Sequence, residues 1–182
     1  IGANYQLLTA TDDIMWLLNL RGNDVKYCPL LISFAVLSHE QVFFFADEEK
    51  IPFAMKASLD SDGVVLLPYD AVNSVLSHLD DGSVLLLSPH ATPAALYRAV
   101  SRRVKIVEDL SIPTRMKAVK NDTELKNLRK VMVDDGVVLT RFFHWLENAV
   151  AGEEITELGA AARIDEMRSA QAGCTEIGRA HV

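Results

Sequence analysis

Through the first two-thirds of the chain, short apolar runs alternate with stretches of helical period. Ile14-Met15-Trp16-Leu17-Leu18 is a strand-length run that ends in the polar stretch Asn19-Leu20-Arg21-Gly22-Asn23-Asp24. Phe34–Leu37 and Val42–Phe45 flank Ser38-His39-Glu40-Gln41, which predicts a β-hairpin around a polar turn. Pro52–Leu59 predicts a short helix with Pro52 near its first turn. Asp62-Gly63 then opens a strand over Val64–Leu67. Asp70 can cap a helix running to about Leu79, which Asp80-Asp81-Gly82 ends. Ser83–Leu87 predicts a strand, Thr92–Val100 a helix opened by Pro93, and Val104–Val107 a further strand. Such alternation predicts an α/β fold, a sheet with flanking helices. The unbroken apolar runs Val64–Leu67 and Ser83–Leu87 are expected to be covered on both faces.

Ser111-Ile112-Pro113-Thr114 changes the register, and the pattern beyond it is helical. Asn121 and Glu124 form a capping box, satisfying two backbone donors at a helix start. Leu125, Leu128, Met132, Val138, Leu139, Phe142 and Leu146 then recur close to a 3.6-residue period. Unbroken to Ala149, this helix is ~40 Å long at 1.5 Å per residue. Gly136 weakens it by about 1 kcal/mol relative to Ala and is expected to mark a close contact. Thr156 caps a second helix to about Ala170. Two helices cannot close a core alone, so their apolar faces call for a sheet encoded downstream. The expected organisation is one domain over 1–112, the start of another over 113–175, and a tail, 176–182, resembling translated sequencing adapter.

Composition narrows the choice of function. The 182 residues carry a net charge of −7 with 24% charged and 49% hydrophobic residues, a globular balance. With no basic stripe to neutralise phosphates, nucleic acid is not an expected partner. No apolar run approaches the ~18 residues of a membrane-spanning helix, so no membrane association is expected. Cys28 and Cys174 are far apart and form no disulfide framework, in keeping with a reducing compartment and a cytoplasmic location.

The chemistry-bearing residues form no metal or nucleophile motif. His39-Glu40 begins like a zincin helix, but Phe43 stands where the second histidine is needed. The acidic pairs, Asp12-Asp13 among them, read as caps, turns or solvated faces. One loop remains: Asn19–Asp24 places a guanidinium, a glycine and a carboxylate directly after an apolar run. Arg21 can hold a carboxylate or carbonyl bidentately. Its structural alternative, favoured by spacing, is an Arg21–Asp24 ion pair that closes the turn.

Trp16-Leu17-Leu18-Asn19-Leu20-Arg21-Gly22-Asn23-Asp24 resembles the W-L-x-N-L-R-G-x-D signature of the large, three-domain Xaa-Pro aminopeptidases. Cys28-Pro29 and Phe34 continue the likeness, and Lys117-Ala118-Val119-Lys120-Asn121 with Glu124 is similar to that family's K-A-x-K-N-x-x-E stretch. Phe143, Trp145-Leu146-Glu147, Thr156-Glu157 and Ala160-Ala161 match its first two catalytic-domain helices. The resemblance covers about Thr9 to Arg168.

The resemblance implies a creatinase-amino-terminal-like mixed sheet with flanking helices, followed by the first two helices of a truncated pita-bread α+β domain. It implies a parent metallopeptidase cleaving before proline, with two manganese ions or another divalent metal and a homodimeric state. Its substrates would be peptides with proline second. The family's metal ligands, two Asp, one His and two Glu, match no position here. No metal and no catalytic residue are therefore expected in this chain, which is expected to be inactive alone. Arg21 is the candidate mouth-lining, substrate-binding residue. The rival readings are a non-catalytic creatinase-like scaffold and an Xaa-Pro dipeptidase. A chain ending near Pro113 is expected to be more soluble than the longer one, whose Leu125-to-Leu146 face lacks cover.

Overall fold

Leu7 and Leu8, adjacent on β1 (Tyr5–Leu8), are both fully buried because they point into two different hydrophobic clusters, one on each face of a central sheet. The computed structural model describes residues 2–152 and 155–171. Cys174 and the adapter-like tail lie outside the described residues. The chain divides into two compact units, 1–119 and 120–182.

In the first unit, β1, α1 (Thr11–Leu17), β2 (Ser33–Leu37), β3 (Val42–Ala46), α2 (Phe53–Ser61), β4 (Val64–Pro68), α3 (Val72–Ser77), β5 (Val84–Leu87), α4 (Ala94–Ala99), β6 (Lys105–Glu108) and α5 (Ile112–Ala118) follow in order. The six strands form one mixed sheet, ordered β4-β3-β2-β1-β5-β6. β2 runs antiparallel to β1 and β3, and the remaining pairs are parallel. One face, with Leu7, Val36, Phe45 and Leu85, packs with residues of α3 and α4. The other, with Leu8, Ala35 and Phe44, packs with Ile14 and Met15 of α1 and Leu59 of α2. The expected mixed α/β sheet with flanking helices is thus the observed architecture.

The hairpin forms where the pattern predicts it, with Phe34 opposite Phe45 and Val36 opposite Phe43. Ser38 pins its turn: the hydroxyl accepts from the Glu40 and Gln41 amides and donates to the Gln41 carbonyl. His39 sits in this turn, as expected.

Four local expectations are corrected. Ile14–Leu18 is not a strand: Ile14 donates to Ala10 O and Leu18 to Ile14 O, and the run is helix α1 and its cap. A five-residue apolar run carries no decisive period, and β1, just upstream, had already taken the sheet position. Asp70 does not cap a long helix; it lies in a 3-10 turn, Tyr69–Ala71, ahead of the shorter α3. β4 is not covered on both faces, because it is an edge strand and Val65 is exposed. Gly136 marks no close contact; a Cβ there would meet nothing within 4 Å.

The expected break at 112/113 falls within the start of α5, which packs on α1 in the first unit. The second unit contains α6 (Asp122–Val150) and α7 (Glu157–Ser169). The Asn121–Glu124 capping box and the Thr156 cap are both formed. Arg168 grips Asp135 through two nitrogens, at 2.9 and 3.3 Å, and joins the helices. Leu128, Met132 and Phe143 are exposed on α6. No described helix is long and apolar enough to cross a membrane.

Candidate functional site

The loop after α1 assigns a separate task to almost every residue of its N-L-R-G-x-D stretch. Asn19 adopts φ +50°, a left-handed conformation that Asn tolerates and that turns the chain out of α1. Leu20 returns inward and is buried among Ile14, Met15 and Leu31. Gly22 passes so close to the next stretch of loop that a Cβ would lie 2.6 Å from the Leu31 nitrogen. Its amide donates to Pro29 O at 3.1 Å. Only glycine fits this crossing.

Asp24 closes the loop. Its carboxylate, 8% exposed, accepts from the Ile32 amide at 2.9 Å and pairs with Lys50 at 2.7 Å. The Lys50 hydrogen bond, then the Ile32 amide, lower its pKa below the ordinary carboxylate value, against an opposing effect of burial. The expected Arg21–Asp24 ion pair is therefore corrected: a lysine from the far side of the hairpin has taken that place. The spacing missed it because Lys50 reaches Asp24 only after β2 and β3 have folded back.

Arg21 is left. Its Nη1 donates to the Leu20 carbonyl at 2.7 Å, and the residue is exposed. Among the described residues it makes no ion pair, so the guanidinium keeps donors available for a ligand.

A second constellation escaped the sequence reading. Asp13, 1% exposed, accepts from Ser111 Oγ at 2.7 Å and from Thr114 Oγ1, and Lys117 Nζ lies 2.5 Å from its other oxygen. Lys117 also pairs with Asp12. Burial alone would raise the Asp13 pKa, but Lys117, Thr114 and Ser111 together hold it below the ordinary value. Of the caps, turns and solvated faces expected for the acidic pairs, both Asp12 and Asp13 fall in the first turn of α1, but Asp13 is buried and not solvated. Asp13 lies just before the Trp16–Asp24 signature and Lys117 opens the second motif, but nothing local joins residues about a hundred positions apart.

The histidines stay dispersed. His78 lies at the end of α3, where Nδ1 is 2.7 Å from Ser74 O, and His144 is exposed on α6. Among the described residues, no group of three or more His, Cys, Asp and Glu is placed to hold a metal ion.

A cleft of about 570 Å³ opens beside Asp24, at the carboxyl ends of β3 and β4. Ends of this kind carry the ligand sites of many open α/β sheets.

Comparison with known proteins places this architecture. Residues 1–124 match the creatinase/prolidase N-terminal domain. Xaa-Pro aminopeptidase 1 of Dictyostelium discoideum is 35% identical over 156 residues, which cover 85% of this chain and 24% of that protein. The chain therefore spans about a quarter of the length of that relative. The crystal structure of an X-prolyl aminopeptidase from Caenorhabditis elegans, described as a cytosolic enzyme with a di-nuclear active site, superposes with a TM-score of 0.83 at 30% identity. That match covers 93% of this chain and 29% of the enzyme. The N-terminal domain of a FACT complex subunit from chickpea shares the fold, with a TM-score of 0.68 at 12% identity over 91% of this chain and 44% of that one. The family match includes the whole sheet and the Arg21 loop, and by this measure the chain belongs to the creatinase/prolidase N-terminal domain family.

Proposed function

We propose that the chain is the second domain, with the opening helices of the pita-bread catalytic domain, of a metal-dependent aminopeptidase that releases the residue preceding proline. In this reading Arg21 lines the mouth of the active site and captures the peptide. The single observation that carries it is the division of labour in the loop: Asn19, Leu20, Gly22 and Asp24 are spent on folding, and Arg21 is not. An exposed guanidinium on a tightly constrained loop is a preorganised donor for a peptide carbonyl or carboxylate. Such help is needed here, because the amide before proline has no N–H to grip. The likeness to enzymes named for Xaa-Pro substrates supports the same reading.

The two metal ions, manganese in our proposal, would be held by residues outside those described and would activate a water for attack. The description of the nematode relative as cytosolic supports a cytoplasmic parent, and we place it there as a homodimer. The 182-residue chain alone is expected to hydrolyse nothing.

The test is steady-state kinetics of the full-length protein on Xaa-Pro peptides, with and without chelator. Arg21→Ala should raise KM by about tenfold with a smaller change in kcat, the loss of roughly one charge-assisted hydrogen bond. Arg21→Lys should recover part of it. An unchanged KM at unchanged stability would remove Arg21 from the mouth. Absence of Xaa-Pro hydrolysis by the metal-loaded parent would overturn the activity itself.

A further inference from the structure

The cleft beside Asp24 has a floor and a rim of different chemistry. Ile32, Pro68 and Tyr69 supply an apolar floor over the buried Ala46, and Ile32 and Tyr69 remain exposed on it. The Tyr69 ring is not free to swing: it stacks on Phe34 with centroids 5.0 Å apart and planes at 25°. A ring held on one side is a ready shelf for a flat partner on another. The rim carries three carboxylates, Asp24, Asp47 and Glu48, against one ammonium, Lys50. Lys50 hydrogen-bonds Asp24 and also feels the charge of Asp47, so one ammonium faces three carboxylates and the rim over the apolar floor keeps an excess of negative charge. Asp47 also caps the 3-10 turn through the Glu49 amide at 3.1 Å, so its carboxylate is fixed in place.

We propose that this cleft binds an arginine-bearing stretch of extended peptide. The arginine stem lies over Ile32 and Pro68, the guanidinium plane rests on Tyr69, and Asp47 and Glu48 hold its charge. An apolar stem ending in a planar cation matches both the floor and the rim, whereas a purely apolar side chain would leave two carboxylates partly desolvated without a partner. A second copy of this chain is a poor occupant of this cleft, because it would bring a net charge of −7 against the acidic rim, so the homodimer proposed above is expected to form through another face. The site stands in the first compact unit and requires no metal and no catalysis, so it can hold or fail independently of the aminopeptidase reading.

The test is NMR titration of the 182-residue chain with acetyl-Ala-Pro-Arg-Ala-amide, and with the same peptide carrying citrulline in place of arginine. Citrulline keeps the shape and removes the charge. The arginine peptide should bind at least tenfold more tightly, with shifts at Ile32, Asp47 and Tyr69, and the difference should shrink as salt is raised. Asp47→Asn combined with Glu48→Gln keeps the turn cap and should abolish the preference, while Tyr69→Ala should weaken both peptides. Equal affinity of the two peptides, or shifts confined to other surfaces, would overturn the proposal. So would concentration-dependent self-association that broadens the same resonances without peptide, since that would give the cleft to a second copy.

Discussion

Lys117 on α5 closes on Asp13 of α1, with Nζ 2.5 Å from a carboxylate oxygen whose residue is 1% exposed. Ser111 and Thr114 fill the other oxygen, so one buried charge collects three partners from a single helix and its cap. Removing one side of a buried ion pair costs more than the pair contributes, because the other charge is stranded. Lys117→Met should therefore destabilise the first unit by about 3 kcal/mol in urea unfolding. Asp13→Asn, which keeps an acceptor for the hydroxyls, should cost less than Asp13→Ala.

The same contact sets a pH dependence. The Asp13 pKa is depressed in the folded state. Its stabilisation is complete above the unfolded value of about 3.9 and is lost as pH falls through the lower folded value. The Lys117 pKa moves the other way: burial opposes, but Asp12 and Asp13 raise it. Its contribution is complete below the unfolded value of about 10.4 and fades as pH rises through the folded one. Urea midpoints of the native chain should fall at both extremes, and Asp13→Ala should flatten the decline on the acid side. An unchanged acid limb would show that other carboxylates govern it.

Where the chain is cut should matter for the same reason. A chain ending at Pro113 loses most of α5 with Thr114 and Lys117, and leaves Asp13 with Ser111 as the one remaining partner of the three. One ending at Val119 keeps all of α5. The shorter form should melt lower despite its smaller exposed apolar surface, as thermal unfolding of the two would reveal. The solubility gain expected from cutting near Pro113 is better sought at Val119.

Gly22→Ala should destabilise the loop by about 1–3 kcal/mol, the usual range for overpacking. The added methyl meets main-chain atoms, Leu31 N at 2.6 Å and Leu30 C at 2.7 Å, and no side-chain rotation relieves that. Hydrogen exchange at the Gly22 and Asp24 amides, bonded to Pro29 and Leu30, should accelerate first.

Gly136→Ala should act in the opposite direction. The position is inside α6, and a Cβ there meets nothing within 4 Å. Removing the backbone entropy of glycine should stabilise the helix by about 1 kcal/mol. A raised melting temperature by circular dichroism is the expected result, and a lowered one would mean that the position is packed after all.

Local features were legible when their cause was local. The hairpin around Ser38–Gln41 and the caps at Asn121 and Thr156 depend on residues a few positions apart, and each formed as read. Ile14–Leu18 departs from the expected strand because a short apolar run suits a strand and a buried helix equally; the neighbour it packs against decides. The loop at Arg21 was found by its motif, but its internal logic was not. The partner of Asp24 is Lys50, and the spacing of Arg21 and Asp24 pointed elsewhere.

Residue order alone specifies which stretches can pair, cap or turn, and it puts a guanidinium in a glycine-bearing polar loop. Which charges meet is settled by the folded arrangement. β3 pairs with β2 and α5 packs on α1, so that Lys50 neutralises Asp24 and Lys117 neutralises Asp13. Coulombic and hydrogen-bond energies depend on distance in space. The order of residues along a chain specifies that distance only after the hydrophobic faces have closed.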